Sequence, residues 1–477
     1  MSSLKVLIAG AEATPFAKTG GLADVIGALP RSLAKQGVDV RVIMPKHATV
    51  KQNYGDQLKV IATMNIQMGW RTLYMGLETL TRDGVQYYFI DNEYYFGDCI
   101  YKGGEAEAEQ YAYFCRAVIE ALPLLDFLPD VIHCNDWHTA MLPFLLKTQY
   151  CDTKQGKAKT VLTIHNLQYQ GQISFDLARD ILQVDDKYFT SDCLEAYGSA
   201  NMMKAGLLFA DKITTVSPTY AQEILDPYYG RGMEGILNMR RDVLSGILNG
   251  IDTVEFDPAR DTHLKKTYSQ DDMSGKYEDR NALLEELDVC VNPGTPVIGM
   301  VTRLTEQKGL DLVRAVLEEA LFENVAFVLL GSGDAQYESY FKYIAGRYPD
   351  KTAVCLGYND PLAHRIYAGS DFLLMPSMFE PCGISQMIAQ RYGTLPIVRE
   401  TGGLADTVQP YNNYSQEGNG FSFANYNAHE MLNVIRFALT VYEDKPALAK
   451  LVRTAMDIDN SFDKSAAEYA DLYRSLL

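Results

Sequence analysis

Two cations and one carboxylate in the second half of the chain have the types and spacing of a ligand site. "MVTRLTEQKGLDLV" (300–313) places Arg303 and Lys308 between an apolar run and a helical pattern that opens at Leu310. Two cations in a strand-to-helix loop suit a diphosphate, each charged hydrogen bond contributing about 1.5–3 kcal/mol. The bland alternative is a pair of solvated side chains. "MPSMFEPCGISQMIAQRYG" (375–393) sets Glu380 in a short loop, and Cys382, Gly383, Ile384 and Ser385 then open a helix. A carboxylate there accepts sugar hydroxyls, and the first N–H groups of the helix attract phosphate. Cys382 has no histidine close in sequence, so a packed small residue is favoured over a nucleophile.

The first half carries a second set. "KTGGLAD" (18–24) contains six residues, Thr19–Asp24, that return unchanged at Thr401–Asp406. Each copy opens a helix behind a strand or its loop, where Gly-Gly permits a tight turn and a close ligand. The same letters also describe two turns that bind nothing, and both readings stand at this point. "TIHNLQYQG" (163–171) puts His165 and Asn166 at the carboxyl end of a strand, where an imidazole can donate to a sugar hydroxyl or carbonyl. "HCNDWH" (133–138) offers His133, Cys134, Asp136 and His138 as metal ligands. Part of it is strand, whose side chains alternate between faces, so the four cannot converge. Asp136, at the strand end, is the better functional candidate.

Those loops need strands and helices to hold them. In the first half, strands are expected at 5–10, 38–45, 130–136, 160–166 and 212–217. A hairpin-like insert over 61–91 has a D-G turn. The second half repeats the pattern at 296–302, 325–331, 352–358, 371–377 and 394–400. Continuous apolar strands alternating with helices mean parallel sheets covered on both faces. The expected architecture is two doubly wound, Rossmann-like α/β domains facing a cleft. Their expected spans are 1–246 and 247–458, with a last helix, 459–477, packing back on the first.

Composition bounds the rest. A chain of 477 residues, 47% apolar and 22% charged, has room for two folded domains. A net charge of −18 repels phosphate backbones and argues against nucleic acid as a partner. Eight cysteines without a C-x-x-C pair read as reduced thiols in a cytoplasmic protein. The apolar run Val6–Ala11 is shorter than a signal core of about 7–15 residues, so it reads as a buried strand, and no stretch suits a membrane span. A nicotinamide fingerprint fails at "GSGDAQ" (331–336), where Gln336 stands in place of the third glycine, and a P-loop is absent.

"KTGGLADV" (18–25), "NDWHTA" (135–140), "TIHNLQYQG" (163–171), "LNGID" (248–252), "RLTEQKGLDL" (303–312), "FEPCGISQ" (379–386) and "TGGLADTV" (401–408) together resemble the bacterial glycogen synthases and plant starch synthases over nearly the whole chain. The resemblance implies the GT-B arrangement and transfer of glucose from ADP-glucose to the non-reducing end of an α-1,4-glucan, with retention. It implies no metal and no pyridoxal phosphate, which a glucan phosphorylase on the same plan requires; a glucan-binding protein without activity is the other alternative. By the same resemblance, Lys18, Gly20 and Gly21 meet the donor diphosphate together with Arg303, Lys308 and the helix start at Gly383, Ile384 and Ser385. His165 lies near the glucosyl carbons and Glu380 binds glucosyl hydroxyls. Asp24, Asp136, Asn166, Asn249 and Cys382 belong to the same pocket, Tyr358 lies near the adenine, and Gly402 and Gly403 line the cleft. Phe96 and Tyr101 are placed on the acceptor, glycogen or a maltooligosaccharide. Two positions depart from the pattern: Ile388 stands where related transferases carry a second glutamate, and Asp98 stands in the acceptor loop where an arginine is usual.

Overall fold

In the computed structural model, which describes residues 3–477, the chain separates into two units, Met1–Gly250 with Phe462–Leu477, and Ile251–Ser461. The strands of the first unit are β1 (Lys5–Ala9), β2 (Asp39–Pro45), β3 (Lys59–Met68), β4 (Arg71–Arg82), β5 (Val85–Asp91), β6 (Val131–Asn135), β7 (Lys159–Ile164), β8 (Gln172–Ile173), β9 (Glu195–Ala196), β10 (Ser199–Asn201), β11 (Lys212–Thr215) and β12 (Leu244–Gly246). Nine of them form one sheet in the order β12-β11-β7-β6-β1-β2-β5-β4-β3, and β8, β10 and β9 form a small separate sheet.

The 61–91 segment forms the expected hairpin at its D-G turn and is also part of the main sheet. β5 joins β2 in parallel, with Arg41 opposite Gln86, and β4 and β3 continue the same sheet antiparallel to its edge. β5 buries Tyr87, Tyr88, Phe89 and Ile90 in succession, the pattern of a strand covered on both faces, whereas edge strand β3 leaves most of its residues partly or fully exposed. Asp83 and Gly84 both have positive φ, as the two-residue turn between β4 and β5 demands.

The second unit holds β13 (Val297–Val301), β14 (Ala326–Gly331), β15 (Thr352–Leu356), β16 (Phe372–Met375), β17 (Leu395–Arg399) and β18 (Phe421–Phe423). All six are parallel, in the order β15-β14-β13-β16-β17-β18. Three-residue β18 is too short for periodicity to reveal. In each sheet one pair of neighbouring parallel strands sends its connections to opposite sides, β1 beside β6 in the first and β13 beside β16 in the second. Within each unit, the loops leaving the carboxyl ends of that pair occupy the place where such sheets bind ligands.

The helix Phe462–Arg474 belongs to the first unit. Asp463 accepts from Ser32 Oγ at 2.6 Å and Lys35 Nζ at 2.9 Å, and Tyr469 and Tyr473 are buried. The Tyr473 hydroxyl lies 2.7 Å from His133 Nδ1, and His133 Nε2 lies 2.6 Å from Thr163 Oγ1. Both ring nitrogens of His133 are thereby engaged, and burial pushes its pKa down to about 3. Among the described residues, no helix is long and apolar enough to cross a membrane.

Candidate active site

In the first unit the loop after β1 carries Glu12 and then Lys18-Thr19-Gly20 into the helix Gly21–Lys35. That helix forms because Leu22, Val25, Ile26, Leu29 and Leu33 recur at helical spacing and are buried together. Glu12 is buried and its Oε2 accepts from both the N–H and the hydroxyl of Thr19, the latter at 2.8 Å. Burial raises its pKa to about 7, against the opposing bonds from Thr19, and the nearby Asp24 charge raises it further. Lys18 pairs with Asp24 at 2.8 Å. Lys18, Thr19 and Gly21 are exposed, and the Cβ of an alanine at position 20 would meet nothing nearer than Glu12 Oε1 at 4.0 Å. The backbone of this turn is open to a ligand.

The loop after β6 holds Asp136 at φ 56° and ψ −177°, a region nearly reserved for glycine and costing about 1–3 kcal/mol elsewhere. Its side chain explains why it persists. Oδ1 accepts from the N–H of His165 at 2.7 Å and of Asn166 at 3.3 Å, locking the end of β7 to the end of β6. Burial pushes the Asp136 carboxyl up to about 7, opposed by those two bonds. The Asn135 amide nitrogen donates to Ala9 O at 3.1 Å, which turns Asn135 Oδ1 toward His165 Nε2 at 2.8 Å. An amide oxygen only accepts, so His165 carries its proton on Nε2 and offers Nδ1 as an acceptor. Burial pushes its pKa down to about 3. The side chain that sequence analysis cast as a donor is a neutral ring whose N–H is already committed.

In the second unit the loop after β13 carries exposed Arg303, then Lys308, then Gly309 at φ 70°. A Cβ on Gly309 would stand 1.9 Å from Pro376 O, so the loops after β13 and β16 touch where only glycine fits. Lys308 Nζ donates to Glu380 Oε2 at 2.6 Å, and Ser377 Oγ donates to the same oxygen at 2.9 Å. Glu380 is buried. Its loop is held by Arg399 Nε on Ser377 O at 2.9 Å and by Gln307 O, which accepts from Met378 N at 2.8 Å. Sequence reasoning missed Ser377, Gln307 and Arg399; the signal available was the place of each beside a strand end or loop already singled out.

The second Gly-Gly supports this loop from beneath. A Cβ on Gly402, at φ 45°, would lie 1.9 Å from Glu380 O, and one on Gly403 would lie 2.2 Å from Cys382 O. Gly403 N–H donates to Glu380 O at 3.1 Å and Pro381 O at 3.2 Å. Thr401, Gly402, Gly403 and Leu404 are buried. The two glycines pack against the Glu380–Cys382 backbone, which explains their identity without a ligand. Cys382 is itself buried, and the following Gly383 has φ 76°.

Other expected residues fall as follows. Phe96 is fully buried among His47, Tyr113 and Phe114, and has no face for an acceptor sugar. That assignment is corrected: the exposed ring of the segment is Tyr94, over which Lys102 Nζ lies 5.2 Å from the centroid. Tyr101 is half-buried beside His138, and its hydroxyl interacts with Thr19 and the Glu12 charge. Asp98 is exposed and 3.9 Å from Lys102. Asn249 is buried and its Oδ1 has no hydrogen-bond partner among the described residues. Tyr358 is exposed, with its hydroxyl 3.2 Å from Asp360 Oδ1. In "HCNDWH", His133 points to Tyr473, Asp136 to His165, and His138 toward Glu107 at 3.6 Å, so the side chains disperse.

Residues 5–239 match the family model for the starch synthase catalytic domain, and residues 289–454 match that for glycosyl transferases group 1. Glycogen synthase of Geobacillus thermodenitrificans is 50% identical over 99% of this chain and 98% of its own length. Glycogen synthase of Bacillus cereus strain Q1 is 49% identical over 99% of this chain and all of its own length. The chain belongs to the glycogen and starch synthase family. Among solved structures, the catalytic domain of Arabidopsis thaliana starch synthase IV, bound to ADP and acarbose, covers 99% of this chain at 33% identity and a TM-score of 0.92. A Thermosynechococcus elongatus sucrose-phosphate synthase, 18% identical with a TM-score of 0.62, shares the fold alone. This member of the glycogen and starch synthase family is therefore a glycosyltransferase of GT-B fold.

Proposed function

We propose that the chain transfers glucose from ADP-glucose to the non-reducing end of an α-1,4-glucan, retaining configuration and elongating glycogen or a maltooligosaccharide. Family membership over the full length supports the reaction class, and the ADP and acarbose of the starch synthase IV structure support the two ligand types. The observation that carries the chemistry is the Lys308–Glu380–Ser377 cluster on the loops after β13 and β16 of the second unit. Glu380 Oε2 is taken by those two donors, which leaves Oε1 to accept sugar hydroxyls. A retaining glycosidase uses two carboxylates about 5–5.5 Å apart, one of them the nucleophile. Here one glutamate stands in the motif and Ile388 replaces the second, so Glu380 holds substrate and does not attack it.

In this reading the acceptor hydroxyl attacks on the face from which ADP leaves, and the departing phosphate takes its proton. Charge develops on the leaving diphosphate, and Arg303, Lys308 and Lys18 stabilise it, with the N–H groups at Ile384 and Ser385 assisting. Neutral His165 accepts through Nδ1 near the glucosyl group. Asp136 and Asn166 hold that edge, and Tyr358 lies beside the base. The transfer step then needs no metal and no pyridoxal phosphate. The eight free cysteines support a reducing, cytoplasmic setting.

The test is ADP release from ADP-glucose with glycogen present and absent, with EDTA, and with UDP-glucose as donor. Glycogen-dependent release that survives EDTA, with much lower kcat/KM for UDP-glucose, is expected. Comparable kcat/KM for the two donors overturns the donor assignment, and abolition by chelator overturns the metal-free mechanism.

A further inference from the structure

Away from these loops, the second unit contains a buried imidazole nitrogen with nothing to bind. His364 lies on the helix Asp360–Gly369, is 2% exposed and stacks on Phe256 at 4.8 Å. Its Nδ1 lies 2.7 Å from Asp261 Oδ2, an oxygen that also accepts from the Tyr392 hydroxyl at 2.6 Å. A carboxylate at Nδ1 fixes the proton there, so Nε2 presents a lone pair. That Nε2 is buried and has no hydrogen-bond partner among the described residues.

Two further ligand-type side chains face it. Asp360 Oδ2 is 3.9 Å from Nε2, one helical turn away on the same face, while the other Asp360 oxygen is occupied by the Tyr358 hydroxyl at 3.2 Å. The His263 ring centroid is 4.9 Å from that of His364, and the His263 N–H donates to Asp261 Oδ1 at 2.8 Å. Asp261 thus orients one histidine by its ring and the other by its backbone. One ligand atom each from His263, Asp360 and His364 lies within 4.8 Å of the others.

We propose that His263, Asp360 and His364 bind a divalent transition-metal ion of the zinc class. Two imidazoles and one carboxylate form a zinc-type donor set, with water completing a tetrahedron. The nitrogen donors disfavour calcium and magnesium, which take oxygen ligands. Asp261 behind His364 is the carboxylate partner that metal-bound histidines commonly carry. Tetrahedral zinc bonds of about 2.0–2.2 Å bring ligand atoms to about 3.3 Å of one another, so the set must contract. His263, exposed on its loop, is the residue with freedom to turn inward. A bound ion would tie the 257–263 segment to the helix Asp360–Gly369, and no step of the transfer reaction runs through it.

The test uses the full chain, stripped with EDTA and freed of chelator, with exposed Cys99, Cys151 and Cys290 alkylated to remove competing thiols. Zn²⁺ is titrated by calorimetry and Co²⁺ by visible absorption, each metal alone. One equivalent of uptake is expected, with tetrahedral Co²⁺ bands, no thiolate charge-transfer band, and a melting temperature that rises with Zn²⁺. His263→Ala, at an exposed position, should keep the fold and lose the bands and the melting shift. Glycogen-dependent ADP release should be the same with and without Zn²⁺, so failure of this site and failure of the transfer reading are separable. Lack of stoichiometric uptake, or uptake that His263→Ala leaves unchanged, overturns the assignment.

Discussion

Thr19–Asp24 and Thr401–Asp406 are the same six residues, each leading into a helix, and their surroundings differ. In the first copy Thr19 and Gly21 are exposed, and Gly20 has open space where a side chain would be. Beneath it lies Glu12, a buried carboxyl whose pKa is raised to about 7. In the second copy Thr401–Leu404 are buried and both glycines abut the Glu380–Cys382 backbone. The first Gly-Gly keeps a surface clear. The second lets two protein segments touch. Identical letters therefore carry different constraints, and the difference makes the copies separable by experiment.

The largest effect should come from the second unit's two cations, of which Lys308 pairs with the Glu380 that the second copy supports. Lys308→Ala and Arg303→Ala should each lose about 10²–10³ in kcat, the usual cost of one transition-state donor, with little change in glycogen KM. Glu380→Gln should retain measurable turnover. Full kcat in both cation variants, or a covalent glucosyl adduct trapped on Glu380, would remove the chemical reason for the second copy's packing.

Next comes the cost carried by the first copy. Glu12 has a folded pKa of about 7 against 4.5 for the free group, so the folded state binds its proton more tightly. Stability from this group is fully present below pH about 4.5 and declines as pH rises to about 7, by up to about 3 kcal/mol. Glu12→Gln should therefore be more stable than wild type at pH 8 and lose that advantage at pH 4.5. Denaturant midpoints at the two pH values measure it. Asp136, also raised to about 7, shifts stability in the same direction and should leave a residual slope in the variant. Equal slopes for the two proteins would mean that Glu12 does not carry the burden.

Gly402→Ala should follow, costing about 1–3 kcal/mol as an overpacked contact, because the new Cβ would stand 1.9 Å from Glu380 O. Melting temperature and kcat should fall together, since the same shift moves Glu380. The smallest effect belongs to Gly20→Ala. At φ −161° the backbone is extended and the space is open, so its stability should stay within about 0.5 kcal/mol of wild type. Any change should appear in the KM for ADP-glucose. If Gly20→Ala destabilises as much as Gly402→Ala, the contrast between the copies fails.

Much of the fold was legible because buried parallel strands write themselves as continuous apolar runs. "KVLIA", "VIGMV" and "AFVLLG" are found as β1, β13 and β14. The D-G turn of the 61–91 segment marks the β4–β5 hairpin, but it does not say that β5 also pairs with β2. The placement of Arg303, Lys308 and Glu380 on adjoining loops could be anticipated, since each follows a strand end. Phe96 could not be judged the same way. An aromatic ring in a loop reads alike whether it faces a sugar or, as here, Tyr113 and Phe114. The roles of Glu12 and Ser377 are not marked by local pattern, because each is a side-chain contact made only when the loop folds: Glu12 accepts from Thr19, and Ser377 donates to Glu380.

By itself the sequence determined the class of sheet, the family and the loops that carry charge, because periodicity and short motifs are local properties of the chain. Tertiary structure alone decided which of two identical turns is open and which is packed, since that depends on whether Glu380–Cys382 lies against the glycines. It also decided that His165 is a neutral ring committed through Nε2, because Asn135 is turned by a carbonyl 126 positions away in the chain. And it brought His263 to Asp360 and His364, about a hundred residues on, around a nitrogen that no local pattern marks as unsatisfied. Burial and partnership are relations between distant segments, and only the packed chain fixes them.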